Sequence, residues 1–296
     1  MIPNNNFSVL PWYYDIPAGY GVQQQNHNLS YAYGNIYPLF TPARYLPPFQ
    51  IMRNTLAYRP ITRFEIFDKT GKSMYGNIVT ELMNAGTQIV RFASLGYDII
   101  VYPGYLPMNI NIPDGIYYAQ IADGTNRWTS EMFTVVQDVS GYLKIEWYDA
   151  ENIVFDAGQS VYQNPTFKNR LYLCTELGKP EYKFEEEGED RDGYFFPEKQ
   201  ISEKTYRAIC LAPEYLCDVM RFIRMADYVF VTDKYGRTYD CDTFLITPKW
   251  QTQGDLASVE IEFETATVVK KIGRGFVPTQ QTGDFNNDYN NDFLTQ

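Results

Sequence analysis

The run Val259-Glu260-Ile261-Glu262-Phe263-Glu264 alternates apolar and charged residues without a break, the mark of a strand with one buried and one solvated face. Shorter runs with strand character recur at 63–67, 87–93, 97–102, 108–112, 115–122 and 128–136. Turn-forming breaks such as Asp68-Lys69-Thr70-Gly71, Pro113-Asp114-Gly115 and Asp123-Gly124-Thr125-Asn126 separate them. That spacing predicts a β-sandwich of immunoglobulin-like size over 60–140. A second β-rich block is expected over 141–272, with strands at 142–148, 171–176, 205–211, 228–232, 238–246 and 257–267. One segment has helical spacing instead: Leu216, Val219, Met220 and Ile223, behind Pro213 and Glu214, predict an amphipathic helix over 213–226.

The flanks have neither period. Residues 1–59 hold twelve aromatics and seven prolines but only four charged side chains, Asp15, Arg44, Arg53 and Arg59. Prolines at 38, 42, 47 and 48 disfavour helix and central strand, so the segment is expected to be an extended arm. Its aromatics Trp12, Tyr13, Tyr14, Tyr31, Tyr33, Tyr37 and Phe40 need a surface to cover them, and a neighbouring subunit is the expected one. Residues 273–296 form a polar tail with an Asn/Asp/aromatic repeat that no core would use, expected to be flexible. The expected fold class is therefore mainly β. Two sandwich-like or barrel-like domains, the second with one helix, lie between an extended arm and a flexible tail.

Composition narrows the function. A formal charge of −11 repels a phosphate backbone, which argues against nucleic-acid binding by the protein itself. The one histidine, His27, excludes every mechanism that needs a pair, including the HExxH metalloproteases. Cys174, Cys210, Cys217 and Cys241 lie at separations of 36, 7 and 24 with no CxxC pair, so they are expected to be reduced core thiols. The N-terminus has no basic region followed by an apolar run, and no stretch is long and apolar enough to span a membrane, so no membrane partner is expected. Carboxylates at alternate positions in the acidic run 185–193, expected to be a solvated loop between strands, resemble the start of a calcium loop but lack its twelfth ligand. The run 284–290 alternates oxygen ligands too, without the glycine that would close a loop. No nucleophile motif, phosphate loop or dinucleotide fingerprint is present, so no catalytic residue, metal or cofactor is assigned and no enzyme is expected. A glycosidase carboxylate pair would meet only in the fold. Trp128, Trp147 and Trp250 could serve as stacking platforms in a carbohydrate-binding or adhesive module, the alternative function.

The stretches Tyr142-Leu143-Lys144-Ile145-Glu146-Trp147, Phe167-Lys168-Asn169-Arg170-Leu171-Tyr172-Leu173 and Glu176-Leu177-Gly178-Lys179-Pro180-Glu181-Tyr182 resemble a β-rich domain of virion proteins of tailed phages of Bacteroidetes, notably the crAss-like group. The likeness continues through Leu211-Ala212-Pro213-Glu214-Tyr215-Leu216 and Val231-Thr232-Asp233-Lys234-Tyr235-Gly236, covering roughly 140–272. It implies a structural subunit of a tail or neck ring, a connector assembled in the host cytoplasm and located in the virion. The implied partners are copies of the chain and neighbouring virion proteins such as the portal, other rings or a hub, with DNA at most passing through the lumen. A ring needs heterologous contacts between different faces. The 141–272 block carries most of the negative charge, so the expected contact sets Glu185, Glu186 and Glu187 of one subunit against Arg221, Arg224, Lys234 and Arg237 of the next.

Overall fold

In the computed structural model the described residues are 8–14, 39–54, 59–92, 96–124, 126–151, 167–250 and 256–271. They form a mainly β protein. The N-terminal strands are β1 (Trp12–Tyr14), β2 (Phe40–Pro42), β3 (Phe49–Asn54) and β4 (Arg63–Asp68), followed by α1 (Val79–Asn84). Next come β5 (Gln88–Phe92), β6 (Tyr97–Tyr102), β7 (Gly115–Ala122), β8 (Arg127–Ser130), β9 (Phe133–Val136), β10 (Leu143–Tyr148) and β11 (Asn169–Leu173). The chain continues through β12 (Glu181–Arg191), β13 (Tyr194–Pro213), α2 (Glu214–Met220), β14 (Tyr228–Thr232), β15 (Thr238–Asp240), β16 (Thr243–Trp250) and β17 (Leu256–Lys271).

One ten-stranded sheet runs in the order β1-β8-β7-β9-β2-β11-β10-β14-β15, with β4 paired to β7. This corrects the division into separate sandwiches over 60–140 and 141–272. The seam is β2, parallel to β9 through Phe40↔Thr134 and antiparallel to β11 through Tyr172↔Phe40. A three-residue strand that joins partners far away in sequence leaves no periodic trace in its own residues. A four-stranded sheet, β12-β13-β17-β16, and a three-stranded one, β3-β6-β5, complete the architecture.

The chain divides into two compact units at different places from those expected. The first comprises Met1–Tyr182 and Glu203–Thr267, and the second Lys183–Ser202 and Val268–Gln296. The first unit has one large core, from Val9, Leu10 and Trp12 through Phe49, Tyr102 and Phe133 to Trp147, Val231 and Phe263, and two small clusters beside it, around Ile99 and around Ile116. Alternation builds it: Leu143, Ile145 and Trp147 of β10 point inward while Lys144, Glu146 and Tyr148 lie on the other face. The outer face is tied by an ion pair, Arg170 Nε donating to Glu146 Oε1 at 2.8 Å across the β10–β11 register.

One charge cluster lies inside this unit. Arg53 Nε and Nη2 donate to the two oxygens of Asp98 at 2.5 and 2.8 Å, and Nη1 donates to Asp123 at 3.2 Å. All three side chains are buried. The bidentate geometry satisfies the guanidinium fork, and the second carboxylate is held further by Asn126, whose backbone and side-chain N–H groups donate to Asp123.

Several expected elements shift for local reasons. The 108–112 run is not a strand; flanked by Pro107 and Pro113, it is irregular and buries Met108 and Ile112. The 128–136 run breaks at Glu131 and Met132, where the buried Glu131 carboxylate accepts hydrogen bonds from Tyr13 Oη and the Met132 N–H. Helix α2 ends at Met220, six residues short of expectation, and a single 3-10 turn over Ile223–Met225 follows it. The acidic run is strand β12 rather than a loop. Its turn is Asp192-Gly193, with φ of 52° and 82°, the pair of positive values that a type I′ hairpin requires.

Candidate assembly surface

Among its described residues the second unit has no buried side chain. Tyr194, Phe195 and Phe196 follow one another directly after the type I′ turn, so neighbours point to opposite sides of the strand, and all three are exposed. Phe184 on β12 and Val268 and Val269 on β17 are exposed as well, with Tyr194 at 72% and Phe184 at 62%. Farther along β13 the pattern reverts to alternation: Tyr206, Ala208, Cys210 and Ala212 are buried and Arg207, Ile209 and Leu211 exposed. At Gly188 the strands leave no room for a side chain, because a Cβ there would run into the carbonyl of Phe196 and Pro197. Residues 183–202 carry seven carboxylates against three cations. Glu187 accepts from Lys199 Nζ at 3.3 Å and Glu186 from Gln200 Nε2 at 2.6 Å, while Glu185 is exposed on the same strand.

The cations expected to meet these acids on a neighbour mostly have partners in their own chain. Lys234 Nζ pairs with Glu176 at 2.8 Å, Arg237 Nη2 with Asp233 at 2.8 Å and Arg221 Nη1 with Asp218 at 3.7 Å. Arg221 caps the end of α2 and Arg224 lies in the 3-10 turn beyond it, so the two are not on one helix. Asp233 is the best-held of these carboxylates. It accepts from the backbone N–H groups of Tyr235 and Arg237, from Arg237 Nε and from Tyr239 Oη. Burial alone would raise its pKa, but these donors, Arg237 foremost, outweigh it and hold the carboxyl below the usual 3.8.

The arm aromatics are corrected in the same sense. Trp12 is buried against Phe49 at 4.7 Å between ring centroids, and Phe40 is buried against Tyr142 at 5.0 Å. Tyr13 and Tyr14 are half-buried; Tyr14 donates to Asn126 Oδ1 at 3.0 Å and meets the edge of Trp128. All four lie against the chain's own sheet, through β1 on β8 and β2 between β9 and β11, and Trp12 and Phe40 are already buried there rather than on a neighbour. Tyr31, Tyr33 and Tyr37 lie outside the described residues, as does the 284–290 run. Trp128 and Trp147 are core residues, and Trp250, at the end of β16, is the one of the three platform candidates that is exposed.

The remaining chemistry is quiet. Cys210, Cys217 and Cys241 are covered, and burial pushes their thiols up to about 12, 11 and 12, whereas Cys174 is exposed, against the expectation of four core thiols. Among the described residues no three His, Cys, Asp or Glu side chains are grouped to hold a metal ion, and no helix is long and apolar enough to cross a membrane. The signal for the second unit was present in the sequence: three consecutive aromatics beside an Asp-Gly turn cannot all face one core. No family model, curated protein or solved structure matches the chain.

Proposed function

We propose that the chain is a structural subunit of a phage virion, assembling with copies of itself into a tail or neck ring that stacks on neighbouring virion proteins. The observation that carries this reading is the uncovered aromatic surface of the second unit, where Phe184, Tyr194, Phe195 and Phe196 stay exposed among carboxylates. Aromatic side chains inside a polar rim are the composition of a protein interface. The resemblance of 140–272 to ring proteins of crAss-like phages supports the same role. Native mass spectrometry and light scattering of the full chain, alone and with its virion neighbours, test it. The expected result is a closed oligomer, reduced to a folded monomer when those four aromatics are replaced by Ser. A monomer under every condition overturns the proposal.

A further inference from the structure

Strands β4, β7 and β8 turn Phe64, Ile66, Ala119 and Ile121 into the core. Their other face is set by the register: Arg63 opposite Ala122, Glu65 opposite Gln120, Phe67 opposite Tyr118, and Gln120 opposite Thr129. This face floors an open cleft of about 640 Å³, bounded by Gly124, Asn126 and Arg127 at one end and Gly71 and Ser73 at the other. From Arg63 to Phe67 the floor runs about 14 Å at roughly 3.4 Å per residue.

The side chains on this floor are planar hydrogen-bonding groups with an aromatic pair beside them. Arg63 Nη2 donates to Glu65 Oε1 at 2.8 Å, and Gln120 Nε2 donates to Thr129 Oγ1 at 3.2 Å. Phe67 stacks on Tyr118 with centroids 5.2 Å apart and an interplanar angle of 11°. The backbone along the outer edge of β4 is already used. Met74 N–H donates to the Ile66 carbonyl at 2.9 Å, Ile78 N–H to the Phe64 carbonyl at 2.8 Å, and Phe64 N–H to Asn77 Oδ1 at 3.0 Å.

We propose that this cleft binds a neutral linear oligosaccharide. An extended peptide would need a free strand edge to pair with, and β4 offers none. A polyanion would have to displace the Glu65 carboxylate, buried in the floor, from Arg63, one of the two arginines of the lining, the other being Arg127 at its end. Hydroxyl groups suit what is there: guanidinium, carboxylate and amide groups that both donate and accept, with the Phe67 ring in the same lining. The site is separate from the tryptophans considered from sequence and does not rest on the ring assignment.

The test is an array of short neutral glucans, mannans and xylans, with polyuronates and extended peptides for comparison, followed by calorimetry of the full chain. The expected result is binding to a neutral saccharide that weakens at least tenfold in Gln120→Leu, with melting unchanged, and in Arg63→Ala, where loss of the Glu65 partner also lowers the melting temperature, and that persists in the variant carrying the four Ser substitutions in the second unit. No binding to any neutral saccharide, stronger binding to polyuronates or peptides, or binding indifferent to both cleft substitutions overturns the proposal.

Discussion

Strand β17 belongs to both units, and its two stretches behave differently. From 256 to 265 it alternates, burying Ala257, Val259, Ile261, Phe263 and Thr265, whereas every residue from 266 to 271 is exposed. The change falls at Ala266, whose φ of 55° is one that an alanine seldom adopts. Strand β13 shows the same contrast between its 194–202 and 205–213 stretches. The first unit is thus stabilised by its own core, while the apolar side chains of the second gain little from folding alone and would gain most from being covered. Substitutions of similar chemistry should therefore have unequal effects in the two units.

The largest difference is expected for cations. Arg53→Leu leaves Asp98 and Asp123 buried without their counter-charge, and breaking such a cluster costs about 3–5 kcal/mol. Lys199→Leu removes one partner of an exposed pair in the second unit, a change worth about 0–1 kcal/mol. Urea unfolding of both variants checks this. Equal losses would mean that the second unit is as tightly stabilised as the first.

A smaller effect is expected at Asp233. Asp233→Asn removes a charge that satisfies five donors and should cost about 1–3 kcal/mol at neutral pH. The folded-state pKa is lowered, so the wild-type advantage is fully present above the ordinary value of 3.8. As pH falls through the folded-state value the carboxyl protonates and the advantage disappears. Unfolding midpoints of the two proteins should therefore converge in acid, and a constant gap between pH 7 and pH 2 would contradict the assignment.

The sequence shows the parts of the first unit that obey a period and conceals those that do not. Strands β6, β7 and β14 lie within their expected bounds because alternating or continuous apolar runs with turn chemistry at their ends define them locally. The place of β2 between β9 and β11 depends on residues more than ninety positions away and has no local signature. Trp12 and Phe40 looked like interface residues because an aromatic-rich, charge-poor segment requires a cover. Composition does not say whether that cover is the same chain. The cleft was invisible for a related reason: Arg63, Glu65, Phe67 and Gln120 come together only through the β4–β7 register.

The thiols offer the finest test, because the expected effect on them is none. All four cysteines lie in the first unit, three covered and one, Cys174, exposed. Reaction needs the thiolate and access to it. Burial denies both to Cys210, Cys217 and Cys241, so in the native protein Cys174 should react quickly with a thiol reagent and the other three only through opening of the core. Gly188→Val should push β12 and β13 apart at Phe196, raising hydrogen exchange over 194–202. If the first unit is stable on its own, the three slow thiols of that variant will keep their wild-type rates. Acceleration of Cys210 together with exchange over 194–202 would show that β13 opens as one cooperative strand, and the contrast between its two stretches would then be one of exposure but not of stability.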